Sequence, residues 1–148
     1  MIVIMGMAWA CSPNRVFEQA ESLPKQQWAY GDTIWVEATI PDTTSTYDLY
    51  LAIRHNQEYP FSNLWIHLQT FYPSGKAGLL KKELLIGNNE AQSWETDCLQ
   101  DICNGLLPIV EGITFSEKGE VRFALTHIMR TNPLPGIMDV GLRIERQP

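Results

Sequence analysis

The sequence predicts an all-β fold: an antiparallel β-sandwich, immunoglobulin-like or jelly-roll-like, with one irregular loop region. Two observations carry this. Apolar side chains recur with a period of two in segment after segment, the pattern of strands that rest one face on a core. Those segments are short and are separated by Pro, Gly, Asn, Asp and Ser, with no sustained helical period. Such punctuation belongs to sandwiches.

Taken in order, residues 16–22 (VFEQAES) read as an edge strand or one helical turn. Leu23-Pro24 and Gly31-Asp32 bracket Trp28-Ala29-Tyr30. In 33–40, Ile34, Val36, Ala38 and Ile40 share one face, and Trp35, Glu37 and Thr39 the other. The loop 41–46 (PDTTST) is rich in side chains that bond their own backbone. The stretch 47–73 then organises the reading. Tyr47, Leu49, Leu51 and Ile53 alternate with Asp48, Tyr50, Ala52 and Arg54, and Leu64, Ile66 and Leu68 alternate with Trp65, His67 and Gln69. The expectation is a long hairpin joined across 55–62.

Ser74-Gly75-Lys76-Ala77-Gly78 is a turn, and 79–86 (LLKKELLI) fits helix or strand by pattern, its length and neighbours favouring strand. Residues 87–105 are the irregular part, with a helical turn allowed within 97–107. Residues 106–115 return to extended pattern, and Pro108 marks an edge position. Residues 116–119 read as a hairpin turn into 120–129, where Val121, Phe123 and Leu125 share a phase. A connection stiffened by Pro133 and Pro135 leads to 137–144, with Val140, Leu142 and Ile144 inward and Asp139, Gly141 and Arg143 outward.

At 148 residues the chain suffices for one domain with a real core. A formal charge of -6 without a basic stripe argues against nucleic acid as a partner. Lys81-Lys82 is the only basic doublet, and it reads as a solvated strand edge.

Residues 1–10 (MIVIMGMAWA) are apolar, end on a small residue and meet Cys11. They read as a signal peptide truncated at its charged end. Cys11 is the expected lipidation site, and 11–15 the lipidated tether of a single β-sandwich domain over 16–148. More than one acyl chain at such a cysteine gives stable anchoring, at ~0.8 kcal/mol per buried CH₂. Ser12 after Cys11, with no acidic run following, points to the outer membrane with the domain facing the periplasm. Cys98 and Cys103 remain. An exported chain permits a disulfide between them, and two free buried thiols are the alternative. One C-x4-C alone falls short of four zinc ligands.

No catalytic signature stands out, and neither a cofactor nor a metal is expected. His67 and His127 are placed where they could meet across strands, without a third ligand. Arg54, Arg130 and Arg143 read either as contacts to a partner's carboxylate or as internal bridges to Asp48, Asp139 or Glu145, the internal reading being favoured. Trp35, Trp65, Tyr50 and Phe71 fall in the phase opposite the aliphatic residues. They form either a platform for a partner or sugar, or a layer covered by the irregular segment. The candidate partner-binding set is therefore Trp35, Trp65, Tyr50, Phe71, Arg54 and Arg130.

Several pieces together resemble the gliding-motility lipoprotein GldH family of Bacteroidetes. They are Cys11 with its leader, Tyr47-Asp48-Leu49 leading to Ile53-Arg54, and Tyr59-Pro60-Phe61-Ser62-Asn63-Leu64. Met129-Arg130, Leu134-Pro135-Gly136-Ile137 and Asp139-Val140-Gly141-Leu142-Arg143-Ile144-Glu145 complete the set. After Trp94 the chain lacks the glycines of the family pattern, so the resemblance implies nothing about that loop. What it does imply is a non-enzymatic envelope lipoprotein associated with gliding and the linked type IX secretion machinery. Its partners would be other envelope, gliding or secretion proteins, and the membrane through the lipid anchor. A carbohydrate- or peptide-binding module of the envelope is the alternative function.

Overall fold

The structure, a computed structural model, describes residues 14–88, 93, 94 and 96–148. Cys11 and the expected leader lie outside the described residues. Thirteen strands follow in chain order among the described residues. The first six are β1 (Arg15–Ser22), β2 (Gln27–Trp28), β3 (Ile34–Ile40), β4 (Tyr47–Asn56), β5 (Asn63–Phe71) and β6 (Ala77–Leu85). Then come β7 (Gly87–Asn88), β8 (Ser93–Trp94), β9 (Asp97–Leu99), β10 (Ile102–Ile113), β11 (Gly119–His127), β12 (Leu134–Pro135) and β13 (Ile137–Arg146). A single 3-10 turn, Pro24–Gln26, is the helical element among the described residues.

Two antiparallel sheets carry the fold. One has the order β1-β13-β4-β10-β9 and the other β3-β11-β5-β6. The pairings nest around the turn at 72–76, where Tyr72 and Lys76 bond through their backbones. Outward from that tip, β5 pairs with β6, β4 with β10, β3 with β11 and β1 with β13, all antiparallel. The chain is thus one long double ribbon. β3, β4, β5, β11 and β13 each have one buried apolar phase, so a flat ribbon would leave a long apolar face wet. Rolling it up adds the pairings β13–β4 and β11–β5 and encloses that face. This is jelly-roll topology, one of the two sandwich types expected.

Rolling overturns the expected hairpin over 47–73. β4 and β5 lie in different sheets, and 55–62 carries the chain across the sandwich. Tyr59, 2% exposed, anchors that crossing, its hydroxyl bonding the Asn63 carbonyl. The alternation was read correctly, since Leu49, Leu51, Ile53, Leu64, Ile66 and Leu68 all point inward. Alternation alone does not say whether two strands lie side by side or face to face. The same correction applies to 116–119, which joins β10 in one sheet to β11 in the other.

Residues 16–22 are strand, completing an edge against β13. The helical turn allowed within 97–107 is absent, because β9 and β10 form a tight antiparallel pair there. Cys98 and Cys103 face each other across it and are bonded, with S–S 2.00 Å. Thr96, just before β9, is buried in the place a side chain at position 105 would take. A Cβ on Gly105 would lie 2.5 Å from Thr96 Cγ2. Thr96 Oγ1 shares a 2.8 Å hydrogen bond with Nε2 of the fully buried His55. At the same end of the sandwich, Trp28 is buried and donates its Nε1–H to the Asp32 carbonyl at 2.8 Å.

Candidate functional site

A shallow groove of about 700 Å³ lies on the outer face of the five-stranded sheet. It follows from residue size. Register aligns Ala20 of β1, Gly141 of β13, Ala52 of β4 and Leu106 of β10 in one row across the sheet. Ala20 and Ala52 have almost no side chain and line the trough, Gly141 between them is buried against β1, and Leu106, 41% exposed, stands at its end. Position 141 has to be glycine, because a Cβ there would lie 2.1 Å from the Gln19 carbonyl oxygen.

Charged rows flank the trough. On one side Arg143 reaches Glu145 at 2.7 Å and Glu18 at 3.7 Å. On the other, Arg54 stands 3.6 Å from Asp139, which accepts a hydrogen bond from the Ser22 hydroxyl. Asp97 and Asn104 extend that wall. The internal bridges predicted for Arg54 and Arg143 are therefore formed, to Asp139 and Glu145. Asp48 instead accepts from the Gly112 amide at 2.8 Å and the Gln147 side chain at 2.7 Å. The Arg143 Nε is buried and has no hydrogen-bond partner among the described residues.

The aromatic set is divided between two faces. Tyr50 lies on the outer face of the five-stranded sheet, in the row of Arg143 and Pro108. Trp35, Phe71 and Trp65 lie on the outer face of the other sheet, so Tyr50 cannot join them. Trp35 is 46% exposed, sits 5.9 Å from the Phe71 ring and carries the Arg122 guanidinium 4.7 Å over its face. Trp65 lies farther along β5 under the Lys81 ammonium, at 5.3 Å. It lines a hollow of about 360 Å³ with Phe61, Met129 and Arg130. The part of the irregular segment expected to cover these rings runs, at β9 and β10, on the opposite sheet.

The histidine pairing is also corrected. His67 lies opposite Thr126, one residue from His127, so the two histidines point to opposite faces of their sheet. His127 is inward, packed against the rings of Trp28 and Tyr30, and its Nδ1 accepts from the Met129 amide at 3.2 Å. Burial pushes the pKa of both His127 and His55 below the ordinary imidazole value. No group of three metal-ligating side chains converges among the described residues.

Single-residue reasoning missed the trough. Its signal was present, since Ala52 and Gly141 are small residues in the outward phase of two central strands. Only the register aligns them.

Comparison with known proteins gives a consistent picture. The family described as GldH lipoprotein matches residues 15–144. A "Gliding motility lipoprotein GldH homolog" of Christiangramia forsetii is 30% identical over 146 residues, covering 93% of this chain and 87% of the relative. The "Gliding motility lipoprotein GldH" of Flavobacterium johnsoniae is 26% identical over 148 residues, covering 95% and 91%. No solved structure matches the chain.

Proposed function

The chain belongs to the GldH lipoprotein family, and from that premise we propose that it is a lipid-anchored, non-enzymatic component of the gliding-motility apparatus and the linked type IX secretion machinery. It acts by protein–protein interaction. Its anchor is Cys11, and its body faces the periplasm from the outer membrane. The names of the relatives support the motility role, and they name no reaction.

The observation that carries the interaction reading is the trough. A floor of Ala20 and Ala52 lets another chain's backbone approach the sheet, and the Arg54–Asp139 and Arg143–Glu18 pairs offer both signs of charge beside it. These pairs are partly exposed, so they select partners more than they add affinity.

A photocrosslinking residue at Leu106 in the native envelope tests this. Discrete adducts with envelope proteins are expected there, and few at Lys118 on a distant turn. Recovery only as a lone chain, from several mild detergents and without adducts at Leu106, would refute the interaction reading.

The second reading is a carbohydrate- or peptide-binding module using Trp35 and Phe71. The exposure of Trp35 beside Phe71 and Arg122 favours it. Titration with envelope glycans should then quench tryptophan emission in the parent chain and not in Trp35→Ala.

A further inference from the structure

The four-stranded sheet ends on β6, whose nine residues pair on one side only, with β5, among the described residues. All of them except Leu84 are exposed. An open edge of that length is a template for another strand. Its outward phase reads Ala77, Leu79, Lys81, Glu83, Leu85, and the two outer leucines are 60% and 63% exposed.

We propose that β6 pairs with β6 of a second copy of this chain, antiparallel, about a two-fold axis through Lys82. The two four-stranded sheets then become one continuous sheet. The strand's own sequence selects the register. With Lys82 on the axis, Leu79 faces Leu85 and Lys81 faces Glu83, and symmetry repeats each pair. Apolar and opposite-charge pairs are the ones that stabilise a ladder. Centring on Lys81 instead sets Leu79 against Glu83 and Leu80 against Lys82. Centring on Glu83 sets Lys81 against Leu85. Both alternatives lose the complementarity.

In the inward phase Leu80, 36% exposed, gains Leu84 of the second copy as its cross-strand neighbour. Lys82 meets its own symmetry mate, the one like-charge contact. That contact opposes association and predicts that neutralising Lys82 tightens the dimer.

The test uses the full chain in its native envelope, with the parent chain as control for the native cysteines. Lys82→Cys puts a thiol on the axis, and mild oxidation should give a covalent dimer. Leu79→Cys alone should not, because its mate lies six residues along the partner strand, about 20 Å away. Leu79→Cys co-expressed with Leu85→Cys should crosslink, and this pair carries the test if Lys82→Cys is poorly produced. Lys81→Glu should lower association about tenfold, and the exchange K81E/E83K should restore it. The proposal is overturned if neither Lys82→Cys nor the Leu79/Leu85 mixture gives a dimer. It is equally overturned if Leu79→Cys alone crosslinks as well as Lys82→Cys, or if the adduct is with a different protein.

Discussion

Replacing Gly141 by alanine separates a packing argument from a propensity argument by the sign of its effect. In an ordinary strand, glycine to alanine stabilises, because glycine loses more freedom on folding, by about 0.5–1 kcal/mol. Here the new methyl would lie 2.1 Å from the Gln19 carbonyl oxygen, 2.5 Å from Ala20 Cα and 2.7 Å from Ala20 Cβ. Two of these neighbours are backbone, so a strand has to move by about 1 Å. β13 is held between β1 and β4, whereas β1 is an edge strand with most of its residues exposed. β1 therefore gives way. A 1 Å displacement takes ladder bonds near Ala20 beyond hydrogen-bonding distance. Two or three such bonds at about 1 kcal/mol each give a loss of about 2–3 kcal/mol. Urea denaturation of Gly141→Ala should show that loss. Amide exchange over β1 should quicken about 30- to 140-fold, while β5 and β11 keep their protection. A variant as stable as the parent, with β1 equally protected, would refute the close approach that forms the trough.

Further outcomes follow from the buried groups. His55 and His127 have folded pKa values depressed below 6.5 by burial. The unfolded chain then binds more protons, so stability is complete above about pH 6.5 and falls as the pH drops below it, by at most about 1.4 kcal/mol per pH unit for each histidine. His127→Phe should flatten that slope in denaturation midpoints measured from pH 5 to 8. Reducing Cys98–Cys103, whose sequence separation is 5, should cost about 2 kcal/mol by chain entropy and raise exchange over 96–104. Reductant that leaves exchange there unchanged would count against the bond as a brace. Thr96→Val keeps the shape that fills the space over Gly105 but removes the 2.8 Å hydrogen bond between Thr96 Oγ1 and His55 Nε2. It should destabilise by about 1–3 kcal/mol in thermal melts.

The stretches 33–40, 47–54, 64–68 and 120–125 declared their strands and their buried phases in the sequence, because period-two alternation is a local property of a half-buried strand. The bridges of Arg54 and Arg143 were also legible, since acidic partners stood in the same outward phases, whereas Arg130 forms no ion pair among the described residues. Tertiary structure decided what lies beside what. It put β4 and β5 on opposite sheets where a hairpin was expected, set Tyr50 apart from Trp35, and turned His67 and His127 to opposite faces. It also aligned Ala20, Gly141 and Ala52, which are 121 residues apart at the extremes, into the one row that carries the trough. Alternation specifies that a strand has an inside, and that constraint is satisfied equally by lying next to a strand or across from it. Which of the two occurs depends on closing every apolar face of the ribbon at once, a requirement the whole chain meets together.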